Sequence, residues 1–397
     1  MLRGIAFTLG CWVVGAIVLR VAIVQPEYCP DVGYAELEAS ATEAADWIAR
    51  AIQPDGSYIY EWDADADVLP EDYNEVRHAG VTMSLYQWAA LGNDAYLDDA
   101  DQALEWMLER LVRRDGWAGL ENPFSAWMKL GGTSLMSIGL SFRFEATGDP
   151  QYNDLQLELG EFITNLQLED GSFLNFWDER TDEPVDNITG AFSMGQAFWA
   201  LVLLHEQFPE EGFDEPAGRV AHYLATQRDD DDDFPLPPWP DHWASLGFGE
   251  KAHWGLDEEY IEWAEAVAGR FSLVTRFESQ RRDSLFSLAT RGPMVRGGAL
   301  GVWVEGISGL WRMSTVDERL AEYREPLKER AMCGSAMLID RQVSAAEAEA
   351  DYARPELAQG AWFYRGKTRM DDQQHALSGL ILTMQMMEME EGEPWSR

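Results

Sequence analysis

Apolar residues recur along this chain at the three- and four-residue spacing that is typical of amphipathic helices. No stretch alternates apolar and polar residues in the manner of a half-buried strand. We therefore expect an all-α fold. The pattern predicts twelve helices, over residues 35–53, 74–91, 94–112, 130–147, 150–168, 189–208, 213–228, 241–253, 257–280, 297–314, 316–343 and 371–389.

Polar turns interrupt the helical pattern at a regular interval. Asp-Gly turns followed by an aromatic residue begin at Asp55, Asp115 and Asp170, and an aspartate cluster near position 230 continues the series. Glycine adopts the left-handed conformation that ends a helix without a steric clash. A period of about 55 to 60 residues therefore indicates a repeated pair of helices.

The predicted helices are of two kinds. Those that begin near 74, 130, 189, 241, 297 and 371 are rich in Gly, Ala and Ser, whereas the other six carry charged stripes. Small residues suit a crowded inner position, and charged stripes suit a solvent-facing one. Six inner and six outer helices predict an (α/α)6 toroid over residues 35–390. An open α-solenoid is the alternative.

The N-terminal segment is apolar from Gly4 to Val24 and is broken only by Arg20. A run of about 20 apolar residues is long enough to cross a bilayer, and Arg3 favours a cytoplasmic N-terminus. We therefore expect residues 1–25 to anchor the chain in a membrane, with the bulk of the protein in the periplasm or outside the cell.

Two short segments complete the predicted organisation, a linker over 26–34 and a tail over 391–397. The linker contains Cys29, and Cys333 lies in a predicted outer helix. An exported protein can join two such cysteines, but the sequence alone allows a disulfide and two free thiols equally.

The charge of the chain limits its partners. The sequence has 70 acidic residues against 30 Lys and Arg, which gives a net charge of −40. Such a field repels nucleic acids, so we exclude them as partners. It favours solubility at high salt, and a halophilic source is one explanation; an acidic secreted protein is the other.

Reactive side chains cluster where the inner helices begin, and all these positions lie on one rim of a toroid. The candidate catalytic residues are Glu75, His78, Asp241, His242, Asp371, Asp372 and His375. The candidate substrate-binding residues are Tyr73, Arg77, Trp62, Trp177, Gln196, Trp243, Arg296 and Arg369. Rim aromatics suit stacking on sugar rings, although each also suits capping the core beneath the loops.

The candidate residues point to general acid–base chemistry. Histidine titrates near neutral pH, and hydrolysis of a glycosidic bond with inversion needs two carboxylates about 6.5–9.5 Å apart. Helix N-termini and arginines at the rim favour an anionic group on the substrate. We expect no cofactor and no metal, apart from calcium as a minor possibility at Asp229–Asp233.

Two motifs resemble those of a known group of proteins. The helical repeat with its Asp-Gly-Ser-Phe turn at 170–173 resembles the six-hairpin glycosidase-like (α/α)6 toroid superfamily. The segments 191–197 and 369–375 are similar to stretches in the helical domain of D-glucuronyl C5-epimerases, whose β-rich domain this chain lacks. The resemblance implies chemistry on carbohydrates.

We therefore expect a membrane-tethered, exported enzyme that acts on an acidic poly- or oligosaccharide as a hydrolase, lyase or epimerase. One alternative is a non-catalytic glycan-binding or assembly component of an envelope polysaccharide system. Another is a terpene cyclase- or prenyltransferase-like toroid, in which Asp229–Asp233 would supply the acid.

Overall fold

The structure, a computed structural model, describes residues 2–20, 25–185, 190, 192–231, 240–389 and 393–395. Within these ranges the α-helices are α1 (Leu2–Val18), α2 (Tyr34–Arg50), α3 (Glu75–Ala90), α4 (Leu97–Leu108), α5 (Leu130–Thr147), α6 (Asn153–Asn165), α7 (Ser193–Gln207), α8 (Asp214–Thr226), α9 (Arg228–Asp231), α10 (His242–Lys251), α11 (Glu258–Glu278), α12 (Leu285–Arg291), α13 (Gly297–Val316), α14 (Arg324–Arg341), α15 (Ala345–Asp351), α16 (Pro355–Ala358) and α17 (Met370–Glu388). Short 3₁₀ helices cover Asp94–Tyr96, Pro150–Tyr152, Ala252–Trp254 and Glu318–Tyr323.

Six of these helices form a closed inner ring. In chain order they are α3, α5, α7, α10, α13 and α17; each packs on the next, and α17 packs on α3. Helices α2, α4, α6, α8, α11 and α14 lie outside them. The predicted (α/α)6 toroid is confirmed, and the contact between the first and last inner helices excludes the open solenoid.

Glycines let the inner helices approach each other backbone to backbone. A Cβ atom on Gly301 of α13 would lie 2.3 Å from the carbonyl oxygen of His375 on α17. On the other side of α13, a Cβ on Gly309 would lie 2.2 Å from the carbonyl oxygen of Ser245 on α10. The small residues that mark the inner helices in the sequence are therefore required by the width of the ring.

The outer helices are amphipathic in the ordinary way. On α4, one face buries Ala100, Ala103, Leu104 and Met107, and the charged residues lie on the opposite face. Burial of apolar surface at about 25 cal/mol per Å² is what holds each outer helix on the ring. The outer helices thus cover the apolar outer side of the ring and present their charged residues to solvent.

The expectation of no strands was wrong. The described part of the chain contains β1 (Glu61–Asp63), β2 (Leu111–Arg114), β3 (Trp117–Leu120), β4 (Trp127–Lys129), β5 (Phe176–Asp178), β6 (Glu183–Pro184) and β7 (Lys367–Arg369). All are two to four residues long, which is too short for alternation to stand out in a sequence. They lie in the connections from outer to inner helices, on the predicted rim.

The strands tie neighbouring connections of the rim together. Strand β1 pairs antiparallel with β7, with Glu61 opposite Arg369, so the first connection is joined to the last. Strands β4, β5 and β6 form a three-stranded sheet, and β2 pairs with β3. The rim is therefore held by backbone hydrogen bonds in addition to the packing of the helices.

The N-terminal segment differs from the expectation. It forms α1, a helix of 17 residues, with large apolar side chains such as Phe7 and Trp12 exposed. No helix in the described ranges combines the length and the apolar character needed to cross a bilayer. The predicted transmembrane helix is therefore not supported; residues 21–24 of that prediction lie outside the described ranges.

Two contacts fasten the ends of the chain to the toroid. Cys29 and Cys333 form a disulfide, which joins the segment before α2 to α14 and decides between the two alternatives left by the sequence. At the C-terminal ends of the inner helices, the Trp395 ring is buried with the guanidinium carbon of Arg312 3.7 Å from its centre. Trp395 thus packs at the end of the inner helices opposite the rim.

We predict that the disulfide contributes substantially to stability, because it restricts the unfolded chain between positions 304 residues apart. Replacement of both Cys29 and Cys333 by Ser should lower the free energy of unfolding by roughly 2–5 kcal/mol, measured by urea denaturation. Cys11→Ser, which changes an exposed free cysteine, is the control and should have no effect. Equal free energies for the double variant and the parent would contradict the prediction.

Candidate functional site

Three side chains from three inner helices meet inside the ring, two of them buried and the third, that of His375, partly exposed. His242 is the first residue of α10, His375 lies in the second turn of α17, and Glu305 lies further along α13. His375 Nδ1 is 2.8 Å from Glu305 Oε2, and His242 Nε2 is 3.7 Å from the same oxygen. The two imidazole rings are 5.2 Å apart and nearly perpendicular. We call this group the His-Glu-His cluster.

The hydrogen bonds of the cluster fix the orientation of its groups. A carboxylate only accepts, so His375 donates its Nδ1–H to Glu305 and presents Nε2 on the other side of the ring. Gln374 Nε2 donates to the second oxygen of Glu305, at 3.3 Å. Both ring nitrogens of His242 are buried and have no hydrogen-bond partner among the described residues. His242 is therefore the member of the cluster with unused hydrogen-bonding capacity.

The two histidines differ in their proton affinity. Burial lowers the pKa of His375, but the carboxylates of Glu305, Asp371 and Asp372 outweigh it, and the pKa is raised above its usual value of 6.5. Burial, followed by the charge of His375, lowers the pKa of His242 well below that value. One imidazole thus holds a proton near neutral pH while its neighbour is free of one, which is the arrangement of an acid and a base.

The two aspartates at the start of α17 are held by arginines. Arg296 binds Asp372 through two bonds, Nε to Oδ1 at 2.7 Å and Nη2 to Oδ2 at 2.5 Å. Arg77 Nε and Arg369 Nη2 both lie 3.1 Å from Asp371 Oδ2. Both carboxylates are therefore engaged in ion pairs. They lie about one turn before His375 on α17.

Glu75 and Gln196 lie at the starts of two other inner helices, α3 and α7. Glu75 is buried at the start of α3, where Lys129 Nζ is 2.9 Å from Oε1 and the Asn122 amide donates to Oε2 at 2.6 Å. Gln196 Oε1 lies only 2.2 Å from where a Cβ on Gly131 would be. Both residues thus lie at inner-helix starts, and Glu75 is paired there with Lys129.

His78 and Tyr73 are not part of the His-Glu-His cluster. The His78 ring packs between helices α3 and α4, stacked 4.2 Å from the Trp106 ring. Its Nδ1 is 2.7 Å from the Tyr73 hydroxyl, and its Nε2 is 2.9 Å from the carbonyl oxygen of Ala103. Both nitrogens are satisfied inside the protein, so the structure gives His78 a packing role and separates it from the His-Glu-His cluster.

Asp241 also has a structural environment. It is the N-cap of α10, where Oδ1 accepts from the backbone N–H of Ala244 at 3.1 Å. The buried Arg228 donates to Oδ2 at 2.7 Å. Both carboxylate oxygens are thereby occupied, and Asp241 orients the helix that begins with His242 instead of facing the axis as a free group.

The three tryptophans predicted to bind substrate lie in different parts of the structure. Trp62 is fully buried in a small separate core with Tyr352 and Phe363. Trp177 is partly exposed and packs 5.1 Å from Trp117. Trp243 is buried with its ring 5.7 Å from His375. Of the three, only Trp243 borders the His-Glu-His cluster.

Glu305 was missed by the sequence analysis. It lies in the middle of an inner helix, far from the helix starts that were searched. A signal was present, since Gly301-Val-Trp-Val-Glu305-Gly contains a single acid within an apolar, glycine-rich helix. A lone carboxylate at a position that must be buried needs a partner, and here the partners are two histidines.

The cluster also has the composition of a metal site. The candidate ligand atoms of His242, Glu305 and His375 all lie within 4.8 Å of one another. However, His375 Nδ1 and Glu305 Oε2 are in direct hydrogen-bond contact at 2.8 Å, and an ion bound at about 2.0–2.2 Å to each would have to separate them. The geometry as it stands is that of a hydrogen-bonded acid–base pair.

The predicted calcium site at Asp229–Asp233 falls partly on residues 232 and 233, which lie outside the described ranges. Asp229 Oδ2 accepts from Arg270 at 2.6 Å, and its Oδ1 lies 3.4 Å from Arg228. Asp231 accepts from the Tyr223 hydroxyl at 3.1 Å. In the described part of this run, protein cations and a hydroxyl occupy the carboxylates.

Comparison with known proteins supports the fold assignment. No protein-family profile and no curated protein sequence matches the chain. Solved structures do. Cellobiose 2-epimerase from Spirochaeta thermophila is similar with a TM-score of 0.61 at 14% identity, over 89% of this chain and 97% of that one.

Two further structures have the same architecture and different activities. The α-1,6-mannanase GH76A from Salegentibacter has a TM-score of 0.58 at 14% identity, over 89% of this chain and 100% of that one. A type II terpene cyclase from Scytonema has a TM-score of 0.54 at 13% identity, over 89% and 99%. The chain thus shares the (α/α)6 toroid fold of these structures. Its narrower resemblance to D-glucuronyl C5-epimerases remains a prediction.

We predict that His78 makes the fold sensitive to acid. Burial lowers the pKa of His78 to about 3, whereas the unfolded chain has the usual value of about 6.5. The unfolded state therefore takes up a proton first as the pH falls below 6.5. One such group lowers the free energy of unfolding by up to about 1.4 kcal/mol per pH unit between these values.

The measurement is the free energy of unfolding between pH 6.5 and 5, where carboxylates titrate little. His78→Gln should be less stable at pH 7 but should show a shallower loss with decreasing pH. His253→Gln, at an exposed histidine, is the control and should keep the slope of the parent. An unchanged slope in His78→Gln would show that His78 is not the sensitive group.

Proposed function

We propose that this protein is a carbohydrate-active enzyme that transfers a proton at a sugar carbon next to a carbonyl group, as a sugar epimerase or isomerase does. The observation that carries the proposal is the His-Glu-His cluster, in which two neighbouring imidazoles have opposite pKa shifts. The reaction needs a base that is neutral and an acid that is protonated at the same pH.

The proposed reaction begins from the open-chain form of a reducing sugar. Neutral His242 takes the proton from the carbon next to the aldehyde, and the electron pair of that C–H bond forms an enediolate. Protonated His375 then delivers its proton to the opposite face of the same carbon, which inverts the centre. His242 is left protonated and His375 neutral, and exchange with water restores both.

Glu305 positions His375, the acid, and favours its protonated form. Its hydrogen bond to Nδ1 fixes the His375 ring, and its negative charge stabilises the imidazolium form. Gln374 in turn holds the carboxylate. The mechanism uses only side chains of this chain and no cofactor.

Hydrolysis is supported less well. It requires a protonated carboxylic acid and a second free carboxylate. Asp371 and Asp372 are each bound by arginine, and Glu75 is bound by Lys129. Each of these carboxylates is therefore paired with a cation, and none of them is a free carboxylate that could activate water. Asp229, the acid expected for a terpene cyclase, is likewise paired with Arg270.

Several of the similar structures support a sugar as the substrate. They include a sugar epimerase from a ruminal bacterium and a mannanase variant in complex with α-1,6-mannotriose. We also propose that the protein acts outside the cytoplasm, since the Cys29–Cys333 disulfide is stable in oxidising compartments. A glycan-binding component without activity would not need two histidines of opposite proton affinity.

The first test is solvent exchange. In D₂O, the parent enzyme should introduce deuterium at C2 of a reducing disaccharide such as cellobiose or mannobiose, followed by proton NMR. His242→Asn and His375→Asn should each lower the rate about 10²- to 10⁴-fold, because each removes one proton-transfer group. His253→Asn, at an exposed histidine, should retain the parent rate.

A panel of neutral and acidic reducing sugars should be used, since the sugar itself is not specified by the cluster. Release of shorter saccharides without any incorporation of deuterium would contradict the proposal and favour hydrolysis. Circular dichroism of each variant checks that the helical fold is retained.

The pH profile gives a second test. Activity should fall at low pH as His242 is protonated, at a pH well below 6.5, and at high pH as His375 loses its proton, above 6.5. Glu305→Gln removes the charge that raises the pKa of His375. The alkaline limb of kcat/KM should therefore move to lower pH in that variant, and an unmoved limb would exclude the assigned role of His375.

A further inference from the structure

A cavity opens on the rim, among the connections that lead to α13 and α17. It has a volume of about 800 Å³ and lies between the connection 279–295, which follows α11, and the segment 340–365. Ligand sites in proteins commonly measure about 300–1,000 Å³. This space is therefore large enough for a ligand and is separate from the His-Glu-His cluster.

The walls of the cavity are basic although the protein is acidic. Arginines 281, 282, 341 and 365 line it, together with only two aspartates, 283 and 340. The chain as a whole carries a net charge of −40. A local excess of positive charge in such a protein indicates a place where an anion is bound.

Two of the arginines share a single carboxylate. Glu278 is fully buried behind the cavity wall and accepts from Arg281 at 2.5 Å and from Arg341 at 2.7 Å. Arg282 donates only to backbone carbonyl groups, among them that of Ser279, and lies 4.9 Å from the Tyr28 ring. The four arginines of the wall thus outnumber the three carboxylates beside them, those of Glu278, Asp283 and Asp340, by one.

Arg365 occupies a backbone position that an arginine rarely adopts. Tyr364 and Lys367 exchange two backbone hydrogen bonds, of 2.8 and 3.2 Å, around the two-residue turn Arg365–Gly366. Both turn residues have positive φ, 55° and 73°. Such a turn strongly favours Asn or Gly at its first position. A strained residue of this kind at a cavity wall is a sign of a functional constraint.

The turn places the positive charge of Arg365 at the cavity. The Arg365 guanidinium lies 5.0 Å from the Tyr364 ring, and its side chain is exposed. It makes no ion pair with any residue in the described ranges. Asparagine would satisfy the turn but would not supply this charge.

Tyr364 connects the cavity to the catalytic cluster. Its ring lines the cavity and also lies 5.9 Å from the guanidinium of Arg296. Arg296 binds Asp372, which lies three residues before His375 on α17. A ligand that extends from the cluster along the rim would therefore enter this cavity.

We propose that the cavity binds a carboxylate-bearing sugar unit, so that the substrate is an acidic oligosaccharide whose uronate lies next to the reacting sugar. Guanidinium groups match the geometry of a carboxylate through paired hydrogen bonds. The tyrosine rings at the wall provide flat faces for a sugar ring. The inference deepens the proposed function and rests on it for the position of the reacting sugar.

The test compares cellobiouronic acid, in which glucuronate is linked to a reducing glucose, with cellobiose, its carboxyl-reduced counterpart. Binding is measured by calorimetry in the His375→Asn background, which prevents turnover. The acidic disaccharide should bind about tenfold more tightly, the expected effect of one charge-assisted hydrogen bond. Arg365→Asn should abolish this difference while leaving the affinity for cellobiose unchanged.

Two controls separate binding from folding and from overall charge. Arg365→Asn suits a positive φ, so its Tm should equal or exceed that of the parent. Arg113→Asn removes the same charge from an exposed strand residue away from the cavity and should keep the preference. Equal binding of the two sugars by the parent, or a preference that persists in Arg365→Asn, would overturn the inference.

The result is independent of the catalytic proposal. A preference for the uronate that depends on Arg365 would support the cavity assignment even if no deuterium exchange were found with intact histidines. Deuterium exchange on neutral and acidic sugars at equal rates and affinities would support the catalytic proposal and overturn the cavity assignment.

Discussion

The structure depends on how closely the six inner helices approach one another. Gly301 and Gly309 bring α13 into backbone contact with α17 on one side and with α10 on the other. At that distance, side chains that point to the axis from different helices are within hydrogen-bond reach. The contact of His375 with Glu305 and the proximity of His242 follow from this spacing. A wider ring would leave the same residues as isolated buried polar groups, which are costly.

The polar groups of the toroid belong to two classes with different purposes. Asp241 with Arg228, and His78 with Tyr73 and Ala103, are satisfied within the protein and secure the starts or flanks of inner helices. The His-Glu-His cluster retains groups with unused capacity, above all the ring nitrogens of His242. Rigid helices hold these groups, whereas the connections from outer to inner helices form the rim around them.

Much of the architecture was readable from the sequence. The alternation of glycine-rich and charged helices reports the inner and outer layers directly, because crowding and solvent select those residue types. The predicted starts at 130 and 297 coincide with Leu130 and Gly297. The short rim strands were not readable, since each depends on a partner far away in the chain, as Glu61 depends on Arg369.

The site was readable only in part. His242 and His375 were found because inner-helix starts share one rim, and the same reasoning also selected His78. Periodicity cannot tell which face of a helix start points to the axis when several faces are buried, and His78 lies on the face toward α4. Glu305 could not be selected, because the sequence does not show how far along α13 a side chain lies at the level of the two histidines. The turn at Arg365 could not be predicted either, because its positive φ angle is not visible in the pattern of residue types.

The contact that closes the ring has a consequence for how the protein is made. Helix α17 packs on both α2 and α3, so the first helical hairpin is completed by the last inner helix. During synthesis, the apolar surfaces of α2 and α3 that contact α17 therefore remain exposed until α17 has been synthesised. Contacts between such distant parts of a chain form late, and exposed edges favour aggregation. A surface as acidic as this one keeps growing chains apart by mutual repulsion, so the net charge protects the incomplete ring as well as the folded protein.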